Sequence, residues 1–311
     1  MIASRLFLLL ALAVIGAQGQ MIYTSADGQF TFSGHMTGVF DTPKDKTTPM
    51  HVLLHGAPVR GESPTNGLTA TAREMELTWL KVDAKTTEIR QGRLEGDADI
   101  VFDGGAAQAA KVEQARKLNK PELPQPKEIS RFEAKSELFS YTGTVATGTL
   151  TMPDPWTMQQ VTHGAGVREE DGHPVPFTFD QTFDASGTKG TMSVVAGKDG
   201  ALDQPSTGHL NGPVHFKLVR HEKAVGAAEI STTTYTGVAD SVDIDMTTSP
   251  GTVAAHGHVV VDAVRPEGRK VHFEEDEFTV DLDPQMNPLG FRFSGHPGLT
   301  TAKANGKGGS R

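Results

Sequence analysis

From Tyr235 to Val264 the chain reads YTGVADSVDIDMTTSPGTVAAHGHVVVDAV, and this stretch constrains the fold more than any other. Val242, Ile244 and Met246 fall on one side of an extended backbone, and Ser241, Asp243 and Asp245 fall on the other. That period of two marks a half-buried strand. Ser249-Pro250-Gly251 supplies a turn, and Gly257 then precedes Val259, Val260 and Val261. A variant of the unit spans Leu68 to Asp103. Met75, Leu77 and Trp79 share one face there, and after a turn Ile100 and Phe102 share another. Both units open on an alanine, Ala72 or Ala239, and Gly96 and Gly257 hold equivalent places. The chain therefore reads as all-β, built from repeated antiparallel strand pairs whose apolar faces stack into a shared core.

Further strands follow the same rule. Phe30 and Phe32 alternate with polar neighbours, as do Phe177, Phe179 and Phe183, then Val214, Phe216 and Leu218, then Phe278, Val280 and Leu282. A glycine ahead of a short apolar strand recurs at Gly56, Gly96, Gly164, Gly212, Gly257 and Gly295. Residues 104–128 break the pattern. AAQAAKVEQARKL favours a short helix, and the NKPELPQPK behind it favours extended chain. This segment is either a linker between two halves or a surface excursion from one sheet. The expected organisation is β-repeats over 20–103, the helical insertion over 104–128, β-repeats continuing the sheet over 129–300, and a disordered polar tail over 301–311.

Residues 1–19 read as a cleavable export signal. Arg5 precedes a twelve-residue apolar run, Leu6 to Ala17, and Ala17-Gln18-Gly19 has the small-x-small pattern of a cleavage site. The run is short for a membrane span, so an uncleaved inner-membrane anchor is the weaker alternative to a periplasmic location. The chain has no cysteine, so burial and backbone pairing must hold it together without disulfides. A net charge of −9 argues against nucleic acid as a partner.

The unit ADSVDIDMTTSPGTVAAHGHVVVD resembles the repeat of the organic-solvent-tolerance A-like family, which includes periplasmic lipopolysaccharide-transport proteins. Ala239 opens it, Gly251 makes the turn, and Gly257-His258-Val259 stands where the family has Gly-Asn-Val. Ala72, Gly92 and Gly96-Asp97-Ala98 match in the same way, and Phe132-Glu133-Ala134 with Gly148-Thr149-Leu150 more loosely. The family's asparagine is missing from these positions, and the helical insertion departs from its pattern. The resemblance implies an elongated, open β-jelly roll folded over like a taco. It implies acyl chains, lipopolysaccharide among them, held in the gap between the two sheets. It also implies partners among similar β-jelly-roll proteins through edge strands, including head-to-tail self-association.

The side chains that would line such a groove are Met75, Leu77, Trp79, Ile100, Phe102, Phe177, Phe179, Val242, Ile244, Val259, Val261, Phe278 and Val280. The alternative is a filled sandwich core in a structural or adhesive envelope protein. The chain has twelve histidines, but their spacing nominates no metal set, and exposed strand positions account for them. Glu274-Glu275-Asp276-Glu277 reads as an exposed strand end or as edge protection. No nucleophile elbow, zinc-protease helix or phosphate loop is present, so no enzyme activity and no cofactor are expected.

Overall fold

The computed structural model describes residues 21–294 except 25–29, 42–48, 82–86, 122, 125, 127, 145–146, 171, 197–201, 267 and 283–287. The segment read as an export signal, Gly295 and the polar tail lie outside the described residues. Among the described residues sixteen strands form one antiparallel sheet. In chain order they are β1 (Met21–Thr24), β2 (Thr31–Gly34), β3 (Met36–Asp41), β4 (Met50–Ser63), β5 (Leu68–Lys81), β6 (Thr87–Asp103), β7 (Glu128–Gly143) and β8 (Thr147–Met152). Then come β9 (Trp156–Glu170), β10 (His173–Gly187), β11 (Lys189–Ala196), β12 (Leu202–Ala224), β13 (Ser231–Asp245), β14 (Gly251–Val264), β15 (Lys270–Leu282) and β16 (Pro288–Ser294). One helix, α1 (Gly104–Lys117), lies between β6 and β7. The all-β class with a short helical insertion, read from the alternation, is the observed one.

The long strands are bent in the middle, and the two halves of each join different layers. The register shows this directly. Between β4 and β5 it slips at His55/Val59, between β5 and β6 at Thr71/Glu74, and between β6 and β7 at Glu95/Ala98. The slips continue at Asn211/Val214 for β12 and β13, Val238/Ser241 for β13 and β14, and His256/Val259 for β14 and β15. A bulge bends a strand and sharpens its twist. Bulges at the same height on successive strands make a crease across the whole sheet.

On either side of the crease the pairing is continuous. In layer I, Phe40, Val52, Leu77, Gly92, Tyr141, Leu150, Met192, Gly208, Ile244, Val253, Val280 and Phe291 are partners in one unbroken rank. In layer II, Tyr23, Phe32, Gly61, Ala70, Ile100, Ala134, Met158, Ala185, Phe216, Gly237, Val261 and Phe273 do the same. Elsewhere the crease cuts the strand completely. Pro153-Asp154-Pro155 separates β8 in layer I from β9 in layer II, and Thr188 separates β10 from β11.

Residue types explain where the bends fall. Gly96 and Asp97 have φ of +83° and +49°, and Gly257 and His258 have +66° and +45°. Two successive left-handed residues turn the strand, and glycine takes the first without a Cβ clash. Pro58 and Pro213 sit at the slips of β4 and β12, where no ladder hydrogen bond is lost. The repeated alanines Ala72 and Ala239 lie at the crease, each 1% exposed. Four of the six strand-leading glycines, Gly56, Gly96, Gly212 and Gly257, thus mark the crease. Gly164 instead lies within β9, beneath a phenylalanine ring of β10.

The insertion does not interrupt the sheet. β6 pairs with β7 from Ala98–Ser136 out to Asp103–Arg131, on the two chain segments that flank α1. The Asp103 carboxylate caps α1 by accepting from the Ala106 N–H at 2.8 Å, and Arg116 and Lys117 lie at the carboxyl end, where they complement the helix dipole.

Candidate functional site

The inner faces of the two layers oppose one another. Phe32 of layer II stacks on Trp79 of layer I with ring centroids 6.0 Å apart and planes within 5°. Inward side chains of both layers form one apolar cluster that runs from Phe32 and Val52 to Val259 and Val261.

Burial within this trough is complete along the crease and uneven beyond it. Along the crease Val59, Ala72, Ala98, Val214, Ala239 and Val259 are all at 2% exposure or less. One rank outward in layer II, Ile100, Ala134, Met158, Ala185 and Val261 remain buried, and Phe216 is half-buried. In the next rank Leu68, Phe132, Phe183, Leu218 and Tyr235 are half-buried and Phe102 is 39% exposed, while Ser63 and Ala263 at the two ends of the rank are buried at 0% and 3%. The trough is closed at the crease, and at its far margin in layer II it is partly open between β5 and β13 and closed at Ser63 and Ala263.

The predicted groove residues fall on these inner faces. Met75, Leu77, Trp79 and Val242 are buried in layer I, while Ile244, Phe278 and Val280 are half-buried there. Ile100, Val259 and Val261 are buried in layer II, and Phe102 stands at the open margin. Phe177 and Phe179 are buried too, at 9% and 8% exposure, but far from the crease. They belong to a cluster that the sequence reading missed.

That cluster lies on the inner face of β9, β10 and β12. The Phe179 and Phe177 rings lie across Gly164 and Gly166 of the neighbouring strand; a Cβ on either glycine would stand 2.6 or 2.8 Å from the ring. The Arg220 guanidinium covers Phe179 at 4.3 Å from its centroid, and that of Arg168 lies 5.5 Å from the centroid of Phe177. Glu222 holds the two arginines together, accepting from Arg168 Nη1 at 2.7 Å and Arg220 Nε at 2.6 Å. Arg220 also donates to Gln181 at 3.2 Å. No sequence motif joins residues 168, 181 and 220; only the register of three strands does.

The outer faces are polar and rich in cross-strand pairs. His51 meets Glu76 at 2.9 Å, His258 meets Asp240 at 2.9 Å and His272 meets Asp262 at 2.7 Å. Asp243 takes His209 at 2.5 Å and His256 at 3.2 Å. Hydrogen bonding to Asp243 raises the His209 pKa, and hydrogen bonding to Asp240 raises that of His258. Asp99 is pushed up by burial and by Glu133, and its Oδ1 has no hydrogen-bond partner among the described residues. Among the described residues no three His, Asp or Glu side chains form a group able to hold a metal ion. Two concavities, about 490 and 200 Å³, lie between outer-face side chains of layers II and I, the first around Glu133, Lys135, Asp184 and Lys217.

Comparison with protein families, curated proteins and solved structures returns no match for this chain.

Proposed function

We propose that the chain is an exported, periplasmic carrier or bridge for acylated lipid, of the lipopolysaccharide-transport kind, and that it performs no chemistry of its own. The observation that carries this reading is the partial opening of the layer II inner face between β5 and β13. A sandwich sealed on both margins would bury its outer ranks as completely as its inner ones. Here Phe132, Phe183 and Leu218 stay partly open on the inner face while Val59 and Val259 are closed. Such a partly exposed apolar surface calls for a ligand or partner, and each methylene buried against it contributes about 0.8 kcal/mol. The export signal and the repeat resemblance support the location and the class of lipid.

Lateral partners would pair at the sheet margins. Among the described residues β3 and β16 end layer I, and β1 and the first half of β15 end layer II. Their unpaired backbone groups can accept a strand from a similar protein. Glu275 points inward from the β15 margin, buried, with Oε2 lacking a hydrogen-bond partner among the described residues. An inward carboxylate on an edge strand restrains indiscriminate pairing.

The test is native mass spectrometry of the protein as purified, followed by extraction and reloading with lipopolysaccharide and with a simple diacyl phospholipid. Saturable adducts of an acylated lipid are expected. A delipidated protein that takes up neither would refute the carrier reading and favour the filled-core alternative.

A further inference from the structure

We propose that the outer face of layer II carries a saccharide-binding site, a polar hollow over β7, β9, β10 and β12 that takes a neutral sugar of one or two hexose units. It lies on the opposite side of the sheet from the trough and does not depend on the trough's holding lipid.

The hollow has a volume of about 490 Å³, within the range of small-molecule sites. Two outer-face ranks line it. In one, Glu133, Gln159, Asp184 and Lys217 are successive cross-strand partners, and in the other Lys135, Thr157, Ser186 and His215 are. Four strands spaced about 4.8 Å apart, with ranks about 7 Å apart, give a footprint of roughly 14 by 7 Å. Residue size makes the concavity. Thr157 and Ser186 are short and form its floor, between the longer Lys135 and His215.

The direction of side-chain pairing keeps the hollow open. Lys217 stands directly opposite Asp184 in register, where opposite charges ordinarily pair. Asp184 instead accepts from Gln159 Nε2 at 2.8 Å, on the other side of β10. Glu133 is engaged from its own strand, by Arg131 at 2.7 Å and Lys135 at 2.6 Å. Hydrogen bonds from Lys135 and Arg131 hold its carboxyl below the usual carboxylate range, so it stays an ionised acceptor. Among the described residues the side chains of Thr157, Ser186, His215 and Lys217 make no hydrogen bond or ion pair. Elsewhere on the outer faces cross-strand carboxylates take up the histidines, as Asp180 does His163 and Asp262 does His272. The hollow thus gathers four uncommitted polar side chains beside two fixed carboxylates and an amide.

The balance of groups points to a neutral, hydroxyl-rich ligand. Glu133 and Asp184 offset Lys135 and Lys217, so the formal charge of the lining is zero and neither an anion nor a cation is favoured. The outward side chains offer an alkyl tail no apolar wall. A sugar hydroxyl both donates and accepts. Glu133 and Asp184 can accept from it, Lys217 can donate to it, and Thr157, Ser186 and His215 can do either. The bonds to the carboxylates and the ammonium group are charge-assisted and the stronger ones. Glu133, Asp184 and Gln159 are already held by their neighbours, so little side-chain entropy remains to be lost on binding.

The experiment titrates the full chain by calorimetry with cellobiose, lactose and N,N′-diacetylchitobiose, and with inorganic phosphate and L-alanine as an anion and a zwitterion of similar polarity. At least one disaccharide should bind saturably, at millimolar concentration or below, and more tightly than phosphate or L-alanine. Thr157→Tyr fills the floor with a residue suited to a strand and should abolish that binding. The double variant Asp184→Ala, Lys217→Ala should weaken it at least about tenfold. Uptake of acylated lipid should be unchanged in both variants, which separates this site from the trough. Binding of none of the three sugars would overturn the site, as would tighter binding of phosphate or L-alanine, or sugar binding that the variants leave intact. If one variant does not fold, as judged by circular dichroism, the other decides the matter together with the order of affinities in the wild-type protein.

Discussion

Replacing one leucine with alanine at two depths of the trough tests whether the sheet is closed at the crease and open at the margin. Leu54 lies next to the crease, paired with Met75, at 0% exposure. Leu218 lies two ranks out in layer II, between Phe183 and Tyr235, and is half-buried. The two substitutions delete the same atoms. At Leu54 the loss includes the transfer term and an enclosed cavity, and should cost about 3–4 kcal/mol. At Leu218 only part of the side chain is withdrawn from water, and the space left communicates with solvent, so about 1 kcal/mol is expected. Urea unfolding followed by far-ultraviolet circular dichroism measures both. Calorimetry with dodecyl maltoside supplies the complement, because Leu218→Ala should weaken alkyl binding and Leu54→Ala should not. Equal destabilisation at the two sites, or a larger loss at Leu218, would refute the gradient and the carrier reading with it.

Three further outcomes follow from the crease and the outer faces. Gly257→Ala should destabilise by about 1–2 kcal/mol, the cost of placing an L-residue in the left-handed region. The loss should exceed that of Gly226→Ala in urea titrations: a Cβ at Gly257 stands 2.5 Å from Asp240 Oδ2, whereas at Gly226, φ +86°, it meets nothing within 4 Å. His209 has a raised pKa through its hydrogen bond to Asp243, so its contribution is fully present below its unfolded value near 6.5 and is lost as pH rises through the folded value. The stability gap between wild type and His209→Gln should therefore be larger at pH 5.5 than at pH 8.5. Asp99 has a raised pKa from burial and from Glu133, so its charged form opposes folding at neutral pH. Asp99→Asn should raise the urea midpoint at pH 7, with the gain shrinking as pH falls toward the usual carboxylate value of 3.8.

Strand type and inward face were legible in the sequence because alternation is a local property. Val242, Ile244, Val259 and Val261 needed only their immediate neighbours to be assigned to one side. The repeated Ala72 and Ala239, and Gly96 with Gly257, were legible as repeats but not as a crease. Seeing the crease requires the slips of six strand pairs to align, and register is a relation between strands. Glu275 is the instructive case within a charge run. Glu274 and Asp276 are exposed as such a run suggests, whereas the alternation turns Glu275 into the sheet. The Arg168–Glu222–Arg220 cluster was out of reach altogether. Its members lie on strands separated by up to 54 positions, and each alone reads as an ordinary surface charge.

The chain's two tryptophans, Trp79 and Trp156, both point into the trough, at 7% and 2% exposure, which gives the central claim a direct optical readout. A maltoside whose alkyl tail carries bromine quenches indole fluorescence only on near contact. In a Trp156→Phe variant, titration with the brominated maltoside should quench Trp79 saturably, and the unbrominated homologue should displace it. Calorimetric binding with Trp79 fluorescence unchanged would place the alkyl chain elsewhere on the protein and contradict the account.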